Sequence, residues 1–314
     1  MIARRPDHTA IVSPGRTLHM TRFGLGALQL PLCARDNLAQ IAEEVASAKR
    51  RMPWIDMIVV GELAAYGPSL AHAQSLPGTA ERAFAAMARD NAVWLVNGSL
   101  YEEAEGRIYN TATAFAPDGS VVARHRKVYP FHPYEKGVEG GTDATVFEVP
   151  GVGRFGLLIC YDIWFPELWR SAALQGAHVL INTVMTNTID RDAELTLSRA
   201  AAIANQLYVV GVNVAGELGV GQSAVYGPGG EAIHLAGSGR ELIAIELDID
   251  HVERCRAQGY QRLGQVLKTF REGPQAFPAY ARPPRDNRIL DDLGPTQDPA
   301  RSLQREESHR GDTR

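Results

Sequence analysis

Cysteine is scarce: Cys33, Cys160 and Cys255 are the three thiols of a 314-residue chain. Three scattered thiols cannot build a disulfide framework or a thiolate zinc site. A reducing cytoplasm is therefore the expected location. No apolar run approaches the roughly 20 residues that a membrane span needs, so no membrane association is expected. The opening residues, Met1 to His8, lack the apolar stretch of a secretory leader. Positive charge is not in excess either: 32 Lys and Arg against 36 Asp and Glu leave a formal charge of −4. That balance gives no electrostatic footprint for nucleic acid. The nine histidines contain no H-E-x-x-H pair to ligate zinc. The serine nucleophile motif G-x-S-x-G is also absent.

What is present is an ordinary globular composition, 45% hydrophobic and 22% charged, with short apolar runs alternating with amphipathic ones. Phe23 to Leu32 reads as an apolar strand. Residues 37–51 read as a helix, with Leu38, Ile41, Val45 and Ala48 on one face, and Asn37 with Gln40 has capping-box spacing. Asp56 to Gly61 is too continuously apolar for an exposed strand and fits one buried on both faces. Thr79 to Asn91 is a second helix and Val93 to Val96 another buried strand. Ile108 to Phe115 and Val121 to Arg126, joined by the turn Pro117-Asp118-Gly119-Ser120, form a hairpin.

The second half resembles the first in order. Phe155 to Ile159 is a strand. Pro166 to Gln175 is a helix, with proline at its start and Gly176 just past its end. His178 to Thr183 and Leu207 to Val214 are strands that flank the Ala-rich helix Asp190 to Asn205. Ser223 to Tyr226 and Ala232 to Leu235 form a hairpin, and Glu241 to Leu247 closes the series. The alternation implies an α/β protein with helices packed on sheets. Residues 1–21 read as a polar, irregular N-terminal segment and 22–280 as the folded domain. Residues 281–314 are too poor in large apolar groups to offset their ordering entropy, so they read as a disordered tail or an arm packed on a partner.

Gly151-Val152-Gly153-Arg154-Phe155-Gly156 matches the dinucleotide fingerprint G-x-G-x-x-G. Its glycines precede a strand instead of opening a helix, so it reads as a turn. Asn97-Gly98-Ser99, without a leader, reads as a strand-end turn and not a glycosylation site. Cys160 differs from the other thiols. It ends a buried strand just before a helix, a position that presents a side chain at the carboxyl edge of a sheet. By position alone it is either a nucleophile or a small buried hydrophobe. Glu62 likewise ends an apolar strand, where a carboxylate needs partners or a task. Taken singly, Lys127 and Glu135 read as surface charges.

Taken in order, Glu62, Lys127, Glu135 and Cys160 with their flanks resemble the nitrilase superfamily of carbon–nitrogen hydrolases. Val59-Val60-Gly61-Glu62-Leu63-Ala64-Ala65-Tyr66-Gly67 is similar to its first glutamate motif, with Gly61 where a proline is common. Arg126-Lys127-Val128-Tyr129-Pro130-Phe131 is similar to the lysine motif. Gly156-Leu157-Leu158-Ile159-Cys160-Tyr161-Asp162-Ile163-Trp164-Phe165-Pro166-Glu167 closely matches the cysteine motif. The resemblance spans about residues 22–272. It implies a four-layer α-β-β-α sandwich, a homodimer or higher homo-oligomer, and no metal or organic cofactor. It further implies that the Cys160 thiol attacks an amide carbonyl while Glu62 takes its proton. Lys127 and the backbone N–H of Tyr161 would stabilise the oxyanion, and Glu135 would orient Lys127 and the substrate. Tyr161-Asp162 after the nucleophile is similar to amidase and carbamoyl-hydrolase branches; true nitrilases typically carry Trp-Glu there. A small linear amide is the expected substrate, with an N-carbamoyl compound as the alternative. Tyr66, His132, Tyr134, Tyr161 and Trp164 are the candidate pocket residues. A non-catalytic interaction protein on the same fold is the reading from another class.

Overall fold

The computed structural model describes residues 21–132, 134–275 and 277. The expected tail at 281–314 and all of the expected 1–21 segment except Thr21 lie outside them. In chain order the strands are β1 Arg22–Gln29, β2 Pro31–Leu32, β3 Met57–Val60, β4 Trp94–Val96, β5 Leu100–Ala104, β6 Arg107–Phe115, β7 Val121–Arg126 and β8 Val138–Glu139. They continue as β9 Thr145–Val149, β10 Gly153–Ile159, β11 Val179–Val184, β12 Tyr208–Asn213, β13 Ala215–Gly216, β14 Ala224–Tyr226, β15 Ala232–Leu235 and β16 Glu241–Asp248. The helices are α1 Leu38–Arg51, α2 Thr79–Asp90, α3 Pro166–Leu174, α4 Arg191–Asn205, α5 Ile249–Gln258 and α6 Val266–Glu272.

Two large sheets form. The first runs β16-β1-β3-β4-β6-β5, with β7 and β8 also paired to β6; the second runs β15-β14-β12-β11-β10-β9. The centre of each is parallel, β1-β3-β4 in one and β10-β11-β12 in the other. Alternation along these strands decides the layering, because successive side chains point to opposite faces. In β3, Met57 and Val59 face the second sheet, while Ile58 and Val60 face α1 and α2. In β10 and β11, Phe155, Leu157, Val179 and Ile181 face the first sheet, and Leu158 and Leu180 face α3 and α4. The result is a four-layer α-β-β-α sandwich with three apolar seams. Strands buried on both sides must be apolar throughout, which is why they read as continuous runs.

The helices bury the faces their spacing predicts. Ile41, Val45 and Ala48 of α1 and Phe84, Met87 and Ala88 of α2 are buried. A side chain such as Phe84, fully out of water, contributes about 1.5–3 kcal/mol. Pro166 opens α3, and Gly176 follows it with φ +93°. The capping box expected at Asn37 does not form. Its side-chain amide instead donates to the carbonyls of Cys33, Arg35 and Ala64, and Asp36 accepts from the Leu38 N–H at 2.9 Å. The single strand expected over Phe23–Leu32 is two, because Pro31 and Leu32 leave the large sheet to pair with β13. No helix follows the Gly151 to Gly156 stretch directly, but only Gly151 and Val152 form the expected turn; Gly153 and Gly156 already lie in β10.

Gly61 has a packing explanation. A Cβ there would lie 2.6 Å from Val214 Cγ1 and 3.2 Å from the Val184 carbonyl. The bare α-carbon lets the end of β3 close against the second sheet, where the Glu62 N–H donates to Val184 O at 3.2 Å. That contact places a residue of the first sheet in the mouth formed by the second.

Candidate active site

The parallel strands of both sheets point their carboxyl ends at one cavity of about 170 Å³. Open α/β sheets expose side chains for ligands at such ends. Glu62 follows β3, Lys127 follows β7, Cys160 follows β10, and Met185 and Thr186 follow β11. Glu135 enters from the loop between β7 and β8.

Cys160 opens a tight turn, Cys160–Trp164, that joins β10 to α3. Its φ of +47° is in the left-handed region, which costs a non-glycine residue about 1–3 kcal/mol and persists only when the surroundings enforce it. The enforcing group is the Asp162 carboxylate, which has no exposed surface. One oxygen accepts from Val128 N at 3.0 Å and Tyr129 N at 2.9 Å; the other accepts from Ile159 N at 3.1 Å and His125 Nε2 at 3.0 Å. One side chain thus ties the nucleophile turn to the segment that follows Lys127. Asp162→Asn would turn an amide N–H toward converging donors. It should destabilise the fold by at least about 2 kcal/mol and lower kcat about 10²-fold through misplacement. Urea unfolding and amide turnover check this, and an unchanged kcat would refute the anchoring role.

Lys127 is buried between two carboxylates. Its Nζ donates to Glu62 Oε1 at 2.9 Å and to Glu135 Oε2 at 2.7 Å. Asn110 Nδ2 spans the same pair, at 2.9 Å from Glu62 Oε1 and 2.8 Å from Glu135 Oε1. The Met185 N–H binds Glu62 Oε2 at 2.9 Å, and the Phe131 N–H binds Glu135 Oε2 at 2.7 Å.

These surroundings set the charges. Burial pushes the Glu62 carboxyl above its ordinary range, and Lys127 only partly offsets it. For Glu135, burial is outweighed by Lys127 and the hydrogen bonds, which hold its carboxyl low. Lys127 is held well above an ordinary lysine: burial opposes its charge, but Glu62, Cys160 and Glu135 more than compensate. Burial and then the Glu62 charge push the Cys160 thiol well up, with Lys127 opposing. These surroundings disfavour the Cys160 thiolate, so attack by its sulfur would need a base beside it.

All four residues expected to carry the chemistry meet here. Of the expected pocket residues, Tyr134, Tyr161 and Trp164 line the cavity. Tyr66 and His132 do not. Tyr66 stacks on His72 at 4.9 Å beside a separate small cleft, and His132 is exposed on its loop. The turn after Glu62, where Leu63 takes φ +48°, keeps Leu63 on the cavity wall while Tyr66 falls in the neighbouring cleft.

Sequence reasoning missed Asn110, Thr186 and Glu194. Asn110 is a polar residue within the buried strand β6, a legible signal. Glu194 reads as an ordinary first-turn acid of α4, paired three residues back with Arg191, until the fold brings it to the thiol. Among the described residues, no group of three or more His, Cys, Asp or Glu side chains is arranged to hold a metal ion. No helix among them is long and apolar enough to cross a membrane.

Comparison with known proteins places relatives of this chain in one family. The mouse omega-amidase NIT2 is 28% identical over 258 residues, spanning 76% of this chain and 93% of that protein. The crystal structure of Nit3 from Saccharomyces cerevisiae, a member of branch 10 of the nitrilase superfamily, superposes with a TM-score of 0.70. It is 28% identical and covers 76% of this chain and 94% of its own. A cysteine-to-alanine mutant of the Nesterenkonia amidase, solved in complex with butyramide, superposes with a TM-score of 0.66. It is 27% identical and covers 75% of this chain and 94% of its own. The carbon-nitrogen hydrolase family profile matches residues 25–257. With that match and this site, the chain belongs to the carbon-nitrogen hydrolase family, within the nitrilase superfamily, and is a hydrolase of carbon–nitrogen bonds other than peptide bonds.

Proposed function

We propose that the protein hydrolyses the primary amide group of a small linear amide to an acid and ammonia through a thioester on Cys160. The convergence of Cys160, Glu62, Lys127 and Glu135 on one cavity carries this reading. Glu62 takes the thiol proton as Sγ bonds to the carbonyl carbon. The carbonyl oxygen becomes an oxyanion beside the Lys127 ammonium and the Tyr161 N–H. Glu62 then gives the proton to the departing nitrogen, which leaves as ammonia as the carbonyl re-forms. Water enters, loses a proton to Glu62 and attacks the thioester, and the restored thiol leaves with that proton. Glu135 keeps Lys127 in place throughout. The walls from Leu63, Phe131, Trp164, Met185 and Leu218 suit a short, largely apolar acyl chain. The butyramide bound by the Nesterenkonia amidase supports a substrate of that size.

An ammonia-release screen across aliphatic amides, carbamoyl compounds and nitriles tests the proposal. Release from at least one amide or carbamoyl compound, and none from nitriles, is the expected result; silence across the amides and carbamoyl compounds would refute it. The pH dependence is a second check. A base must be ionised, and burial raises Glu62, so kcat/KM should rise with pH through a midpoint above the ordinary glutamate value of about 4.3.

A further inference from the structure

A second carboxylate touches the nucleophile. Glu194 Oε1 lies 3.6 Å from Cys160 Sγ and accepts the thiol's hydrogen bond. The Thr186 hydroxyl donates to the same oxygen at 3.0 Å and itself lies 3.7 Å from Sγ. The other Glu194 oxygen is held by Arg191 Nη1 at 3.1 Å, and Arg191 is fixed on the Gln222 carbonyl at 2.9 Å. Glu194 is thus buried and tethered, with one oxygen on the sulfur. Glu62, the base of the reaction proposed above, is placed differently. Its Oε1 already accepts from Lys127 and Asn110, and its Oε2 from the Met185 N–H. Each carboxylate oxygen accepts about two hydrogen bonds, so Glu62 keeps a place for a proton only on Oε2.

We propose that Glu194 restrains the nucleophile: it keeps Cys160 from reacting as a free thiolate, while permitting attack in which Glu62 takes the proton as the bond to carbon forms. The inference rests on the reading of Cys160 as the nucleophile. A thiolate on Sγ would face the Glu194 carboxylate across 3.6 Å among buried groups, and like charges that close disfavour ionisation. Burial and Glu62 push the thiol up, Lys127 opposes them, and Glu194 adds to the rise. A reagent captured only by the free thiolate meets this penalty in full. Amide attack meets less of it, because the sulfur's proton moves to Glu62 while its electron pair goes to carbon. The Thr186 hydroxyl acts in the opposite sense. It donates to the Glu194 oxygen that faces the sulfur, and its hydrogen bond to Sγ favours the thiolate.

The test is the rate at which methyl methanethiosulfonate, a small uncharged reagent without an amide, captures Cys160 across a range of pH. The thiolate displaces methanesulfinate, a mixed disulfide forms and the thiol proton goes to solvent. Mass spectrometry of the Cys160 peptide keeps Cys33 and Cys255 out of the measurement. Glu194→Gln should speed capture at neutral pH about tenfold, a one-unit fall in the midpoint, while amide turnover gains less. Thr186→Val should slow capture and move the midpoint up. These opposite signs exclude a merely loosened site, in which both midpoints would fall toward the ordinary thiol value of about 8.5. The other charged groups of the cavity, Glu62, Lys127, Glu135 and Asp190, are the same in both variants, as are Tyr101, Tyr134 and Tyr161 on its wall and Asp162 on the sulfur's own turn. Unchanged or slower capture by Glu194→Gln, or a turnover gain as large as the capture gain, overturns the proposal. So does capture by Thr186→Val that is not slower, and this variant decides alone if Glu194→Gln does not fold. Failure of the hydrolytic reading looks different: no amide or carbamoyl compound would release ammonia, while capture would still depend on Glu194.

Discussion

Cys160→Ala is expected to reduce ammonia release by about 10⁴-fold or more, the scale lost when a covalent nucleophile is deleted. The fold should be retained. The substitution removes one sulfur that faces a cavity, and alanine meets the same φ of +47° that cysteine already tolerates. The urea midpoint should therefore stay close to that of the wild type while activity disappears. Mass spectrometry after incubation with an activated acyl compound completes the test. The wild type should gain one acyl group on Cys160 and the variant none. Turnover by the variant above about a hundredth of the wild-type rate would remove the thioester from the mechanism.

Lys127→Met carries the second large effect, on activity and stability together. A methionine fills similar volume but leaves Glu62 and Glu135 facing each other with only Asn110 between them. Breaking a buried ion pair by removing one partner costs about 3–5 kcal/mol. Loss of the oxyanion donor should lower kcat by about 10²–10³-fold on its own. The sign of the pH dependence separates this account from simple misfolding. In the wild type, Lys127 is raised by its carboxylate partners, so its contribution is intact at neutral pH and lost only as pH climbs through that raised value. Glu135 is lowered, so its contribution is present above its unfolded value and lost as pH falls through the folded one. Without the lysine, both carboxyls are buried beside a like charge, and each is raised above its unfolded value. Folding then favours the protonated forms, and the variant should regain stability as the buffer is made mildly acidic. A urea midpoint for Lys127→Met that equals the wild type, or that falls on acidification, would contradict this.

Much of the fold was legible because strands buried on both faces must be apolar throughout. Met57 to Val60, Phe155 to Ile159 and Val179 to Val184 show this directly. β9 and α5 escaped for the opposite reason. Thr145 to Val149 alternates over a few residues, and α5 buries only Ile249, Val252 and Cys255 among charges. The convergence of Glu62, Lys127, Glu135 and Cys160 on one cavity was legible as an ordered set of local motifs, each on a strand end or nearby loop. Asn110 left a signal as a polar residue in a buried strand, but its partner 48 residues away did not show; Glu194 left none, because its partner Cys160 lies 34 residues away. Tyr66 and His132 lay near motifs in sequence, but side-chain direction, which a local pattern does not specify, turned them elsewhere.

The strict in-and-out alternation of β10 has a consequence for how this molecule tolerates change. Deleting or inserting one residue between Gly153 and Ile159 would exchange the faces of Phe155, Leu157 and Leu158, emptying one seam and crowding the other. The same slip would carry the sulfur off its turn and past the reach of the Asp162 carboxylate. Length variation in this protein should thus be confined to its surface connections, while the strand that delivers the nucleophile keeps an invariant residue count.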